Sequence, residues 1–161
     1  MGDNSHFIYY AQIQILYKLK VKRILVPLDG SETSLHSLKY AIDLAKQCDA
    51  SIIGLHVITD MSLFTAAHAI VVKEDKWPSH VTDFMKEAQI LTEKKNADYE
   101  QIVIGGKSAG YDILTFAESK SHAIDLIIMG RRGRSFPKEV FFGSTTNFII
   151  HKSRVPVLVT R

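Results

Sequence analysis

The stretch that decides the fold is KRILVPLDGSETSLHSLKYAIDLAKQC, residues 22–48. It opens with a short apolar run that Pro27 and Gly30 end, which is typical of a strand covered on both faces. Ser31 follows in the position of a helix N-cap. The apolar residues after it recur at the spacing of one helix face and are Leu35, Leu38, Ala41, Ile42 and Ala45. The segment therefore predicts a buried strand that leads directly into an amphipathic helix.

The same alternation of strand and helix patterns continues along the chain. Short apolar runs occupy residues 51–58, 100–106, 125–130 and 155–160. Helical patterns occupy about residues 79–96, 109–120 and 144–152. Residues 60–78 have neither pattern and are interpreted as an irregular connector. We predict an α/β protein with one doubly wound, Rossmann-like domain, in which helices cover both faces of a five-stranded parallel sheet.

The first twenty residues differ from the rest. Up to Val21, apolar residues alternate with polar ones from Ile13 onward, which is the period of a half-buried strand. An extra strand, an arm that reaches a partner and a disordered leader all fit this pattern. Asp3 and the glutamines within the apolar part do not fit a signal peptide. We predict an N-terminal extension over residues 1–20 and a single domain over residues 21–161.

The length, composition and net charge of the chain limit the classes of protein to which it can belong. With 161 residues, 46% of them hydrophobic and 23% charged, the chain has the size and composition of one globular domain. A net charge of +3 is too mild to indicate a nucleic-acid partner. No apolar run approaches the roughly 18 residues that a membrane span requires. Cys48 is the single cysteine, which excludes an intrachain disulfide and favours a reducing, cytoplasmic location.

Functional residues are expected directly after the strands, because open α/β sheets bind ligands beyond the carboxyl ends of their strands. Asp29 follows the first predicted strand, and His56 and Val57 end the second. The sequence GGKS, residues 105–108, follows the third strand, and MGRRGRSFPKEVFFGST, residues 129–145, spans the end of the fourth. His56 lies within an apolar run and is interpreted as a hydrogen-bonded core histidine.

Several common active-site motifs are missing. GGKS lacks the glycine that a P-loop places five positions before its Gly-Lys pair, because Gln101 stands there. The first strand is followed by Gly30 alone, so the dinucleotide fingerprint G-x-G-x-x-G is missing too. The histidines show no zinc-binding spacing, and no kinase catalytic loop is present. The sequence therefore gives no support for a P-loop, hydride-transfer or zinc enzyme.

The glycine-rich segment can hold an anion. Gly130 and Gly133 lack a Cβ atom, so the chain can turn sharply there and bring backbone N–H groups close to a ligand. Gly143 precedes Ser144 and Thr145 at the start of the last predicted helix, whose free N–H groups and partial positive charge favour phosphate. Alternatively, the glycines only make turns and the hydroxyls only cap the helix. Together, the two glycine segments can close around a polyphosphate.

The spacing Gly130-x2-Gly133-x9-Gly143-Ser144 resembles the ATP-binding signature of the universal stress protein family. The stretches KRILVPLDGSETS, ASIIGLHVI, DLIIMGRRG and SRVPVLVTR are similar to strands and turns of that family, so the resemblance covers residues 21–161. It implies the adenine nucleotide alpha hydrolase-like fold of the family. Members without the glycine signature do not hold ATP in this way, and the intact signature predicts the ATP-binding branch.

The resemblance also implies a set of nucleotide contacts. Asp29 matches the acidic residue that approaches the adenosine, and Val57 matches the backbone contact to adenine. Pro27 would lie near the same pocket, and Met129 would flank the nucleoside. The implied phosphate contacts are Gly130, Gly133, Gly143 and Ser144, with Thr145 adjacent.

The arginines between the first two glycines are particular to this chain. A guanidinium of Arg131 or Arg132 near a triphosphate would strengthen binding. The alternative is that both side chains point to solvent from a loop.

The expected function is that of an ATP-binding regulatory module with little or no turnover. The ligand would be ATP or another adenine nucleotide, with Mg²⁺ or Mn²⁺ carried by its phosphates. Asp29 is the one carboxylate expected in the pocket, and it suits a ribose hydroxyl better than catalysis. The alternative is a slow ATPase or nucleotidyl transferase on the same pocket. The resemblance further implies a homodimer through the last strand, Val155 to Val159, and an unidentified protein partner downstream.

Overall fold

A computed structural model describes residues 20–59, 69–133 and 142–161. The strands are β1 (Arg23–Pro27), β2 (Ser51–Ile58), β3 (Ile70–Val71), β4 (Tyr99–Gly105), β5 (Leu126–Gly130) and β6 (Val157–Thr160). The helices are α1 (Glu32–Cys48), α2 (Ser79–Lys94), α3 (Ala109–Glu118) and α4 (Ser144–Lys152). A short 3-10 turn spans Glu74–Lys76. Every predicted strand and helix is therefore present, with ends that differ by a few residues.

The strands form one sheet in the order β3-β4-β2-β1-β5-β6. The four pairs β4-β2, β2-β1, β1-β5 and β5-β6 are parallel. The chain moves outward from β1 on one side and then returns to add β5 and β6 on the other. This is the doubly wound arrangement that the sequence predicts.

The prediction of a five-stranded sheet is wrong, because the described residues form six strands. The sixth is β3, in which Ile70 and Val71 pair antiparallel with Gly105 and Ile104 of β4. Its two residues are exposed and too few to produce a periodic signal, since strands are recognised over runs of at least four residues. The interpretation of residues 60–78 as an irregular connector is wrong at β3 and at the 3-10 turn.

Two apolar layers, one on each face of the sheet, explain the continuous apolar runs of the strands. Ile24 of β1 faces the layer formed with α1 and α2, whereas the next residue, Leu25, faces the layer formed with α3 and α4. Both side chains are completely buried. Burial of a large aliphatic side chain contributes roughly 1.5–3 kcal/mol, so each strand is held from both sides.

The turn between β1 and α1 is held by local hydrogen bonds. Ser31 is the N-cap of α1, as predicted, and its hydroxyl accepts from the Ser34 N–H at 3.2 Å. Gly30 takes a positive φ of 75°, a conformation that costs glycine little. The carboxylate of Asp29 accepts from both the N–H and the hydroxyl of Ser31. This turn is therefore a defined platform at the carboxyl end of β1.

The structure describes little of the predicted N-terminal extension. Residues 1–19, including most of the alternating pattern, lie outside the described residues. The extension over residues 1–20 and the domain over residues 21–161 therefore stay predictions. Within the described ranges, no helix has the length and apolar character needed to cross a membrane.

Candidate functional site

A cavity of about 720 Å³ opens at the carboxyl ends of β1, β2 and β5. The strand order reverses at this point, because β2 and β5 flank β1 on opposite sides. Open α/β sheets bind ligands at such a switch point, and the volume lies in the range of small-molecule sites. This cavity is the candidate functional site.

The structure brings most of the predicted contact residues to this cavity. Those that line it are Pro27, Asp29, Val57, Met129, Gly130, Arg132, Gly133, Gly143, Ser144 and Thr145. Arg131 is not among the lining residues. Its N–H donates to the Thr160 carbonyl at 2.9 Å, so its backbone is tied to the end of β6. Residues 134–141, between the two glycine segments, lie outside the described residues.

Three consecutive carbonyls anchor the turn that follows β5. The Gly130 carbonyl accepts from the Thr146 hydroxyl, and the Arg131 carbonyl accepts from the Gly143 N–H, both at 2.8 Å. The Arg132 carbonyl accepts from the Thr33 hydroxyl at 2.6 Å. In a trans peptide the C=O and N–H groups point in opposite directions. The N–H groups that follow these carbonyls are therefore turned away from the anchors.

Close packing explains why glycines stand in this turn. A Cβ atom on Gly130 would lie 2.9 Å from the Cβ of Thr33 and 3.1 Å from its backbone carbon and oxygen. A Cβ atom on Gly133 would overlap Oδ2 of Asp29. The turn after β5 thus lies directly against the β1–α1 turn, and two segments far apart in sequence share one surface.

The start of α4 lies beside the turn after β5 and forms a wall of the cavity together with it. Gly143 is the N-cap residue, with extended backbone at φ −67° and ψ 158°, and no side chain caps the helix. Ser144 and Thr145, the first two residues of the helix, line the cavity. The N–H groups of a first helical turn have no partner within the helix and carry a partial positive charge. The alternative in which Ser144 merely caps the helix does not hold, since Gly143 occupies that position.

One part of the cavity lining is apolar. Val57 and Met129 lie there on the α3 and α4 side of the sheet, with Ile113 of α3 beside them. Pro27, at the end of β1, is half-buried. The cavity therefore combines these apolar groups with a glycine wall, which consists of Gly130–Gly133 after β5 and Gly143–Thr145 at the start of α4.

The sequence comparison decides the family. The model of the Universal stress protein family matches residues 20–161, which is most of the chain. The chain belongs to the universal stress protein family. Universal stress protein MJ0531 of Methanocaldococcus jannaschii is 30% identical over 147 residues, covering 87% of this chain and 82% of that protein.

Solved structures of universal stress proteins share this fold. MJ0577, also from M. jannaschii, superposes with a TM-score of 0.71 at 28% identity, over 88% of this chain and 96% of that one. A universal stress protein in complex with cAMP has a TM-score of 0.64 at 20% identity, over 88% and 97% of the two chains. One from Archaeoglobus fulgidus in complex with dAMP has a TM-score of 0.66 at 18% identity, over 87% and 98%.

Two histidines of this universal stress protein also line the cavity. His56 Nδ1 lies 2.7 Å from the Leu28 carbonyl, and its ring packs edge-on against Phe84. The prediction of a hydrogen-bonded histidine is thus confirmed, but His56 is half-buried at the cavity rather than enclosed in the core. His80 and Phe84 lie one helical turn apart on α2 and line the cavity, and the sequence patterns predicted neither of them as a site residue. A helix that follows a strand of a parallel sheet begins at the carboxyl edge, where ligands bind. The position of His80 in the first turn of α2 could therefore have indicated a site residue.

The remaining chemistry of the described residues is sparse. No group of three or more His, Cys, Asp or Glu side chains within them can hold a metal ion. Burial raises the pKa of the Cys48 thiol, and the positive charge of Lys22 partly offsets that effect. Burial also raises the pKa of Tyr99. Neither residue lines the cavity, so both shifts belong to the scaffold.

Proposed function

We propose that this protein is an adenine-nucleotide-binding regulatory module of the ATP-binding branch, which holds ATP with little or no turnover. One observation carries the proposal. The turn after β5 and the start of α4 are joined by the hydrogen bond between Arg131 and Gly143 and form one wall of the cavity. That wall carries the N–H groups, hydroxyls and helix N-terminus that suit a polyphosphate.

The phosphates would bind at the glycine wall. The N–H of Gly133, the first N–H groups of α4 and the hydroxyls of Ser144 and Thr145 supply donors. Arg132 adds a guanidinium at the cavity, and its Nε is buried with no hydrogen-bond partner in the described part of the chain. A buried donor without an acceptor is costly, and a phosphate oxygen would remove that cost. Arg132 is therefore a better phosphate ligand than Arg131, which does not line the cavity.

The nucleoside would occupy the apolar part of the cavity. Val57 offers backbone groups at the end of β2, and Pro27 and Met129 provide apolar contacts. Asp29 lies close to Gly133, where a carboxylate can accept from ribose hydroxyls. The cavity thus combines apolar, acidic and glycine-rich groups, which suit base, ribose and phosphate.

A divalent metal would enter with the nucleotide. Mg²⁺ is commonly held by substrate phosphates, with few protein ligands. We propose that Mn²⁺ would be held in the same way, mainly by the phosphates of the nucleotide. The two solved universal stress proteins with bound cAMP and dAMP support an adenine nucleotide as the ligand class for this fold.

A slow ATPase or nucleotidyl transferase is the second candidate, and the pocket histidines favour it. His56 and His80 both line the cavity, and histidine is the side chain that most often transfers protons in catalysis. A proton acceptor is therefore available in the same cavity, although the described residues offer no metal-binding carboxylate cluster. Phosphate release at many turnovers per minute, lost in Gly143→Asp, would establish this candidate over the first.

The purified protein tests nucleotide binding directly. After denaturation, the supernatant is separated by ion-exchange chromatography, and we expect a co-purified adenine nucleotide. Isothermal titration of nucleotide-free protein with Mg-ATP should then give saturable heat. Absence of both a bound nucleotide and titration heat would reject the proposal.

A homodimer through Val155 to Val159 completes the proposed assembly. The carbonyls of Pro156, just before β6, and of Thr160, at its end, accept hydrogen bonds from Ile127 and Arg131 on the β5 side. Because backbone polar groups alternate sides along a strand, Val157 and Val159 direct theirs toward the outer edge. Such an edge is a template for pairing with another strand, and a second copy of β6 would satisfy it.

A further inference from the structure

Thr33 does not line the cavity, but it contacts the turn after β5, residues 130–133, at two points. Its hydroxyl donates to the backbone carbonyl of Arg132 at 2.6 Å. Its Cβ and backbone lie so close to Gly130 that a side chain there would collide with them. Thr33 stands in the first turn of α1, so the start of that helix supports the turn after β5.

The Thr33 hydroxyl belongs to a chain of polar groups that begins at Asp29. The Ser31 hydroxyl donates to Oδ1 of Asp29 at 2.6 Å, and its oxygen lies 3.0 Å from the Thr33 hydroxyl. A carboxylate and a carbonyl can only accept, so each end of the chain requires a hydroxyl hydrogen. The Ser31 hydrogen serves Asp29, and the Thr33 hydrogen serves Arg132, so the two hydroxyl oxygens are close neighbours with no hydrogen left to bond them to each other.

The bond from Thr33 sets the direction of one N–H group. The Arg132 carbonyl and the Gly133 N–H belong to the same planar peptide, and the described residues contain no cis peptide bond. Since the carbonyl is held toward Thr33, the Gly133 N–H is turned away from Thr33. Gly133 itself lines the cavity.

We propose that Thr33 is a positioning residue, whose hydroxyl orients the peptide between Arg132 and Gly133 so that the Gly133 N–H meets a nucleotide phosphate. This inference rests on the proposed function, because it requires an adenine nucleotide in the cavity. Thr33 acts through the turn and does not touch the ligand. Its contribution is therefore specific to the phosphates and absent for the nucleoside.

Thr33→Val and Thr33→Ser separate the hydroxyl from the shape of the side chain. Valine keeps the branched shape that packs against Gly130 and removes the hydrogen bond, whereas serine keeps the hydroxyl. Calorimetric titration with Mg-ATP should show roughly tenfold weaker binding for Thr33→Val, equivalent to about 1.4 kcal/mol. Adenosine, measured by competition against ATP, should bind Thr33→Val as the wild type does. Thr33→Ser should restore most of the ATP affinity.

Thr92→Val is the matched control. Like Thr33, Thr92 donates its hydroxyl hydrogen to a backbone carbonyl, at Gln89 of α2, and does not line the cavity; Thr92 is buried, whereas Thr33 is half-buried. Loss of the Thr92 hydroxyl should lower the melting temperature without changing ATP affinity. Unchanged ATP affinity in Thr33→Val, equal losses for ATP and adenosine, or failure of Thr33→Ser to recover would each overturn the inference. A wild-type protein that binds no adenine nucleotide would instead reject the proposed function, and the inference with it.

Discussion

The backbone carbonyl of Arg131 accepts a hydrogen bond from the N–H of Gly143 at 2.8 Å. These residues flank the segment 132–142, yet the bond holds the turn after β5 against the start of α4. The described residues at the two ends of this segment, Arg132 and Gly133 on one side and Gly143 to Thr145 on the other, therefore form one wall of the cavity.

Gly143→Asp should weaken ATP binding while preserving the fold. The backbone of Gly143 is extended, with φ −67°, and aspartate is a favoured N-cap residue. Its negative charge would stand where the phosphates are proposed to bind. Like charges about 4 Å apart near a protein surface repel by up to about 4 kcal/mol, so ATP affinity should fall by roughly tenfold or more.

Gly143→Asn is the control for this charge effect, because asparagine has nearly the same size and caps helices equally well. Calorimetry with Mg-ATP should show much weaker binding for the aspartate variant than for the asparagine variant. Equal affinities in the two variants would contradict a phosphate site at the start of α4.

Gly130→Ala should destabilise the protein more than Gly133→Ala. The added methyl group at Gly130 meets the backbone of Thr33, which cannot move without shifting α1. At position 133 the added methyl group meets, among the residues that the structure describes, the end of the Asp29 side chain, which can move. Overpacking at Gly130 should lower the free energy of unfolding by roughly 1–3 kcal/mol.

Urea denaturation without nucleotide, followed by circular dichroism, measures this difference. The midpoint should fall clearly for Gly130→Ala and less for Gly133→Ala. The reverse order would mean that the contact between Gly130 and Thr33 is not the tighter one.

Arg132→Ala should weaken ATP binding and reduce its dependence on salt. A hydrogen bond to a charged group contributes roughly 1.5–3 kcal/mol, which corresponds to a loss of about 10- to 100-fold. Arg131→Ala removes the same charge from the neighbouring position, outside the cavity lining, and should have a smaller effect.

Titrations at low and high ionic strength distinguish a local contact from a general charge effect. The salt dependence should flatten mainly in Arg132→Ala, because screening acts on the charge that the phosphates meet. Equal losses in both variants would assign the effect to net charge instead.

Val159→Pro should convert the proposed dimer into a monomer. The N–H of Val159 points to the open edge of β6, so proline removes an intermolecular donor and leaves the hydrogen bonds to β5 in place. Size-exclusion chromatography with light scattering gives the mass, and circular dichroism checks the fold. A wild-type monomer, or a Val159→Pro variant that stays dimeric, would argue against pairing through β6.

The sequence patterns predicted the order of the main elements because buried strands and amphipathic helices leave local signals. The apolar run around Ile24 and Leu25 is continuous since its side chains enter different layers, and Ser31 marks the helix start through its own capping chemistry. The two residues of β3 left no signal, since Ile70 and Val71 are exposed and their pairing with β4 is long-range.

The residues of the candidate site also fall into two groups, those that the sequence predicted and those that it did not. Gly130, Gly133 and Gly143 were predicted as contact residues because their spacing is a pattern within the chain, and the structure places them around one cavity. Thr33 was not predicted, since its role depends on Arg132, which is distant in sequence and close only in the fold. His80 was missed for the same reason.

The sequence by itself determined the α/β class, the universal stress protein family and the glycine spacing, because each is recorded in neighbouring residues. Only the tertiary structure decided that Thr33 donates to the Arg132 carbonyl and that Arg132, rather than Arg131, lines the cavity. It also decided that β3 is an additional edge strand of the sheet. These relationships arise when the sheet brings distant segments together. Their geometry depends on packing and hydrogen bonds that no local pattern encodes.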